Sequence, residues 1–199
     1  MIDAAAAAGV GLVAYTSLLH ADTSPLDMGA DHRETEAHLA ASGIDHVLLR
    51  HGWYTENHVE AIPTALEHGA VLGCAGEGRF STAARQDLGK AAAAVLAGDG
   101  HAGKIYELAG DESYTLADFA EVVAEASGKD VTYQDMPEPA FKALLQKFGL
   151  PEPLAALIAD ADAGAAKGAL EDDGRQLSAL IGRPTTSYRE LVQAAVAEQ

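Results

Sequence analysis

Two short apolar runs, Leu12 to Thr16 and Val47 to Leu49, constrain this fold more than any other feature of the chain. A run of this kind between turn signals is the pattern of a strand buried on both faces. Between the two runs lie a polar loop from Ser17 to Gly29 and a helical stretch that Asp31 opens and Gly43 closes. Asp31 with Glu34 three residues on forms a capping-box-like start, and glycine is a common helix stop. Parallel strands cannot share a tight turn and need a crossover, usually helical. The order strand, loop, helix, strand therefore specifies neighbouring parallel strands covered by helices.

The same reading extends along the chain. Ile2 to Gly9 is an Ala-rich helical segment ending in glycine. Beyond Arg50 come a Gly-Trp-Tyr turn, a helix over Val59 to Glu67, an apolar run at Val71 to Cys74 and a glycine-rich loop through Gly76 and Gly78. A helix over Ala84 to Leu96 precedes a strand at Lys104 to Leu108. Thr115 then caps a helix over Leu116 to Ser127, and a short β segment follows at Val131 to Gln134. The remainder is mostly helical, with Pro137, Pro151 and Pro184 at helix starts or loops. The fold class is α/β. With 48% hydrophobic residues among 199, the chain can bury one continuous core.

A net charge of −17 opposes binding to a phosphate backbone, and no two Lys or Arg residues are adjacent anywhere. Nucleic acid and anionic membrane surfaces are thereby excluded as partners. The same acidity slows encounter with an anionic ligand unless local positive charge focuses it, which directs attention to Arg50 and Arg85. The single cysteine, Cys74, excludes an internal disulfide and a multi-cysteine zinc site, and reads more readily as a small buried hydrophobe than as a reactive thiol. Together with the absence of a signal-like or membrane-spanning apolar stretch, this gives the expectation of a cytoplasmic protein. The eight histidines lack metal-ligand spacing, so no metal site is expected.

Two segments follow the expected strands, at the sheet edge where open α/β folds bind ligands. The first is Tyr15-Thr16-Ser17, whose hydroxyls can meet a substrate carbonyl or simply satisfy nearby backbone. The second runs from Arg50 through His51, Trp53 and Tyr54 to Asn57. Its aromatic and amide groups suit a flat conjugated ligand, and a packing corner anchored by Trp53 accounts for them equally well. Gly76-Glu77-Gly78-Arg79-Phe80-Ser81 lacks the third glycine of a dinucleotide-binding turn and reads as an ordinary turn.

Ala14 to Leu26, Leu48-Leu49-Arg50, Gly52-Trp53-Tyr54, Glu56-Asn57 and Tyr106 to Gly110 together resemble the bacterial type 2 NAD(P)H:quinone oxidoreductases. These are NmrA-like, atypical short-chain dehydrogenase/reductases. Ala65 to Gly69 and Leu180 to Thr186 extend the resemblance toward the C-terminus. It implies a reductase that prefers NADPH, and a Rossmann-like parallel sheet with a smaller C-terminal α/β substrate domain. A quinone cleft would lie between them, with hydride passing to the quinone without flavin. Residues 1–50, with a strand over 103–110, would be the C-terminal part of a truncated Rossmann domain. Residues 51–102 and 111–199 would form the substrate side.

By the same resemblance Asn57 is the catalytic contact, His51, Trp53, Tyr54 and Arg85 shape the quinone site, and Tyr15, Thr16, Ser17 and Arg50 border the cofactor. The family usually has Asn where this chain has His51, and no Tyr-x-x-x-Lys pair is present. The family also carries on the order of eighty further residues ahead of this region, including its glycine-rich phosphate-binding turn. The expectation is a chain incomplete by itself, with the Leu12 and Val47 strands open at an apolar edge and face that a second copy could cover. A non-catalytic binding or redox-sensing module is the competing reading.

Overall fold

A short helix α1 (Ile2–Ala7) leads into β1 (Val13–Leu18), and α2 (Gly29–Ala41) carries the chain to β2 (His46–His51). The computed structural model describes residues 1–199. Helices α3 (Thr55–Val59) and α4 (Ile62–His68) follow, then β3 (Ala70–Gly73), β4 (Arg79–Phe80), α5 (Arg85–Ala97) and β5 (Ile105–Leu108). The chain continues through β6 (Tyr114–Thr115), α6 (Leu116–Ser127), β7 (Thr132–Asp135), α7 (Glu138–Lys147) and α8 (Glu152–Ala165). It ends in α9 (Gln176–Ile181) and α10 (Tyr188–Ala197).

The expected parallel sheet is present, with β2 between β1 and β5 and every pairing parallel. Ser17, Arg50 and Glu107 are register partners and so stand side by side on one face. Val47, Leu49 and Leu108 pack into one cluster with Leu88, Ala91 and Val95 of α5 and Leu177 of α9. Although α5 and α9 lie in stretches that the sequence division gives to the substrate side, both pack with the sheet, because their apolar faces match its inner residues.

Beside the sheet stand two small ones, β3 with β7 in parallel and β4 with β6 antiparallel. A second cluster packs Phe119 and Val123 of α6 against Ile62, Val71, Tyr188 and Val192. A third joins Leu18, Leu26 and Phe80 to Ala161 and Ala165 of α8. Thr115 caps α6 as expected: its hydroxyl accepts from the Asp118 N–H, and the Asp118 carboxylate accepts from the Thr115 N–H.

Several expectations require correction. β1 is not buried on both faces, since Thr16 is exposed and Val13 to Tyr15 are only half-buried, and the strand runs on to Leu18; it does keep the free edge expected of it, with β2 on one side only. The Val47 strand is interior rather than open, since β5 pairs with its other edge and Val47 is wholly buried. β2 extends through Arg50 and His51, which are strand residues rather than loop residues beyond it. Helix α2 begins at Gly29 without a side-chain cap, and Asp31 lies in its first turn. Arg33 donates to the carbonyls of Ala21 and Ser24, holding the preceding loop against the helix so that it starts early. Pro63 in the first turn of α4 divides the single helix expected over Val59 to Glu67. No helix is long and apolar enough to cross a membrane, and no cluster of metal-ligating side chains occurs.

Candidate functional site

The site is assembled where β2 ends. At Gly52 the chain passes close to another segment: a Cβ there would lie 3.3 Å from the Ser81 carbonyl oxygen. The next residues dock on Ala83, whose N–H donates to the Trp53 carbonyl at 3.0 Å and whose carbonyl accepts from the Thr55 N–H at 3.1 Å. This short ladder delivers the chain into α3, which carries Asn57 and His58. The Glu56 carboxylate accepts the Arg85 N–H at 2.9 Å, tying α3 to the start of α5. The Arg85 guanidinium donates to Asn57 Oδ1 at 2.8 Å and lies 5.1 Å from the centre of the Tyr54 ring. Asn57, Tyr54 and Arg85 are thus brought together, and the Asn57 Nδ2 group keeps its donors without a protein partner.

Trp53 and Asn57 open onto a cleft of about 510 Å³. Fifteen of its twenty lining residues are hydrophobic, with Phe119, Phe141, Leu154 and Leu157 among them, which suits a flat apolar ligand met by few polar groups. His58 also lines it, with Nδ1 2.9 Å from the Tyr114 hydroxyl and Nε2 buried without a partner. Tyr114 continues a chain of hydroxyls through Thr82 at 2.9 Å to Thr55 at 2.8 Å. Burial lowers the His58 pKa to about 4, so the ring is neutral at pH 7. Glu60, Thr64 and, from α8, Asp162 complete the polar lining. Sequence reading passed over His58 and Asp162, although His58 is adjacent to Asn57.

His51 lies at the end of β2, near the Tyr54 ring edge with 6.3 Å between centroids. Both of its ring nitrogens are buried without a partner, and burial lowers its pKa to about 4. The remaining residues gather elsewhere. Tyr15 hydrogen-bonds His32 at 2.9 Å, Ser17 donates to Glu36 at 2.5 Å, and Thr16 stands exposed on β1. Arg50 meets Glu36 through a two-pronged contact at 3.0 and 2.8 Å, with Asp22 at 3.0 Å and Glu107 at 2.9 Å. One cation among three carboxylates cannot supply the positive focus anticipated for an anionic ligand. Within Gly76 to Ser81 only Gly76 and Glu77 form the expected turn, and Arg79 and Phe80 are strand β4 paired with β6. The Gly76 N–H donates to Asp135 at 2.9 Å, and a Cβ on Gly78 would come within 2.5 Å of the α8 backbone. Cys74 donates to the Ala159 carbonyl at 3.3 Å, and burial pushes its thiol up to about 12, leaving it unreactive.

No protein-family model matches the chain. Over 192 residues it is 54% identical to quinone oxidoreductase 2 of Escherichia coli K12, covering 96% of this chain and 67% of that protein. The crystal structure of an Escherichia coli NADPH-dependent quinone oxidoreductase complexed with NADPH superposes with a TM-score of 0.95 at 53% identity, covering 97% of this chain and 68% of that one. A triphenylmethane reductase from Citrobacter sp., solved with NADP(H), gives 0.93 at 33% identity, over 98% and 68%. The negative transcriptional regulator NmrA, at 16% identity and a TM-score of 0.75, shares the fold.

Proposed function

The chain belongs to the NmrA-like reductases of the quinone oxidoreductase 2 type, and from that premise we propose that it acts in NADPH-dependent reduction of a quinone held in the Trp53–Asn57 cleft. The observation that carries this reading is an apolar cleft whose polar contact, Asn57, is held in place by Arg85. Asn57 Oδ1 is occupied by the guanidinium, so its Nδ2 group is the donor that meets a quinone oxygen and stabilises the charge developing there. Trp53 and the phenylalanines hold the ring flat and exclude water. Arg85 is a positioning residue that also braces Tyr54.

NADPH, when bound, supplies a hydride from its dihydronicotinamide ring. The residues at the end of β2 fit the nicotinamide end. Neutral His51 packs at that end with both ring nitrogens buried, so it shapes the quinone site by its ring beside Tyr54 rather than by a hydrogen bond. Tyr15, Thr16 and Ser17 border the cofactor from β1. Arg50 serves that border by holding Glu36 and Glu107 in register rather than by contacting phosphate. The test is oxidation of NADPH by the purified chain on addition of 1,4-benzoquinone. Quinone-dependent oxidation that is faster with NADPH than with NADH is expected. Neither cofactor being oxidised contradicts the reading.

A further inference from the structure

The cleft wall carries a polar group that the mechanism above leaves idle. Asp162 lies among the buried alanines of α8, is 6% exposed, and lines the same cleft as Trp53 and Asn57. Its Oδ2 accepts the Cys74 N–H at 3.0 Å, and Gly73 makes room for it, since a Cβ there would stand 2.7 Å from that oxygen. Oδ1 takes no hydrogen bond from the protein and is not among the sealed unsatisfied atoms, so it is the oxygen open to the cleft.

No cation pairs with this carboxyl; the charge acting on it is Asp135 of β7, which accepts from Tyr133. Burial, reinforced by that like charge, pushes Asp162 up to about 7. Cys74 and Tyr133 beside it stay neutral, because burial raises both. Elsewhere in the cleft His58 titrates near 4, and Glu60 pairs with Arg85.

We infer that Asp162 is a catalytic residue of the quinone site, donating a hydrogen bond from Oδ1 to a quinone oxygen and delivering the proton that completes the hydroquinone. This rests on the reductase reading above. The quinone accepts a hydride, two electrons with one hydrogen, as the reduced dinucleotide is oxidised, and becomes a hydroquinone monoanion. The carboxyl O–H bond breaks as the new phenolic O–H bond forms, and the carboxylate regains a proton from water once product leaves.

The experiment is a titration of the full chain with 1,4-benzoquinone, without NADPH, across pH. It follows quenching of Trp53, the chain's single tryptophan. The protonated carboxyl donates to the quinone and the ionised one repels it, so affinity falls about tenfold as pH rises through about 7. In Asp162→Asn the amide still accepts from Cys74 and always donates to the quinone, so affinity becomes flat with pH. The amide cannot release a proton, and kcat falls about a hundredfold with little change in KM.

Affinity independent of pH in the parent chain overturns the inference, as does parent-like turnover in Asp162→Asn. Should the variant fail to fold, the parent profile decides by itself. A pH-dependent affinity without NADPH-driven turnover in either chain leaves Asp162 as the quinone-oxygen donor and removes both the proton delivery and the reductase reading. No saturable quenching at all overturns the inference while leaving NADPH oxidation to judge the reading separately.

Discussion

The α2 face of the sheet and the cleft beside α8 both bury charged groups, and they treat them in opposite ways. Around Arg50 each polar side chain has a partner: Ser17 and Arg50 meet Glu36, Arg50 also meets Asp22 and Glu107, and Tyr15 meets His32. In the cleft the donors of Asn57, one nitrogen of His58 and one oxygen of Asp162 lack protein partners. A fully paired network rigidifies what it joins, whereas under-satisfied groups in an apolar setting cost stability and are retained where a ligand meets them. On the proposed reading the first region is mainly frame, bracing the sheet and the cofactor border, while the second is the site that meets the quinone, although both stand near the strand ends.

The comparison breaks most readily at Arg50. Its side chain is 7% exposed and those of Glu36 and Glu107 are 11% and 17% exposed, so Arg50→Met strands two shielded carboxylates without a cation. A loss of about 3–5 kcal/mol in urea denaturation is expected; a loss below about 1 kcal/mol would mean that the network is not structural.

Charge removal in the cleft should act with the opposite sign. The folded-state pKa of Asp162 is raised from 3.8 to about 7, so its contribution to stability is present below about 4 and lost as pH rises toward 7. Asp162→Asn should therefore be more stable than the parent at about pH 8, on the order of 2–4 kcal/mol, and equal to it near pH 3.5. Thermal melts at the two pH values read this directly, and equal melting at both would remove the contrast between the regions.

Asn57→Ala should lower turnover about a hundredfold while leaving stability within about 1 kcal/mol, because its loss matters to the developing charge and not to the core. Equal turnover in the variant would place the acceptor contact elsewhere. The smallest effect sharpens the boundary between frame and site. Tyr15→Phe loses one hydrogen bond to His32, about 1 kcal/mol. An unchanged KM for NADPH would assign Tyr15 to the frame alone, and a raised one would assign it to the cofactor border as well.

The parallel sheet was legible because apolar runs and a crossover helix allow little else, and Thr115 was legible because a capping box is local. The Trp53–Asn57 segment drew attention as a candidate because it follows a strand. What stayed hidden depends on distant segments. The partners that neutralise Arg50 are 14, 28 and 57 residues away, so its charge looked available for a ligand. Asp162 and Asp160 are alike in sequence, and only packing shows that Asp162 turns inward while Asp160 accepts from the Asp27 N–H at an exposed position. His58 was masked by the turn-like composition around it, and its neutrality follows from burial beside Phe80 and Phe119.

The central claim is that the cleft beside Trp53 holds a quinone, and the most direct test follows Trp53 emission while 1,4-benzoquinone is added to the Asn57→Ala variant and its parent side by side. The account predicts saturable quenching in the parent, weaker in the variant by about tenfold, the worth of one hydrogen bond. Quenching that rises linearly without saturation in both would mean collision rather than binding, and would contradict it.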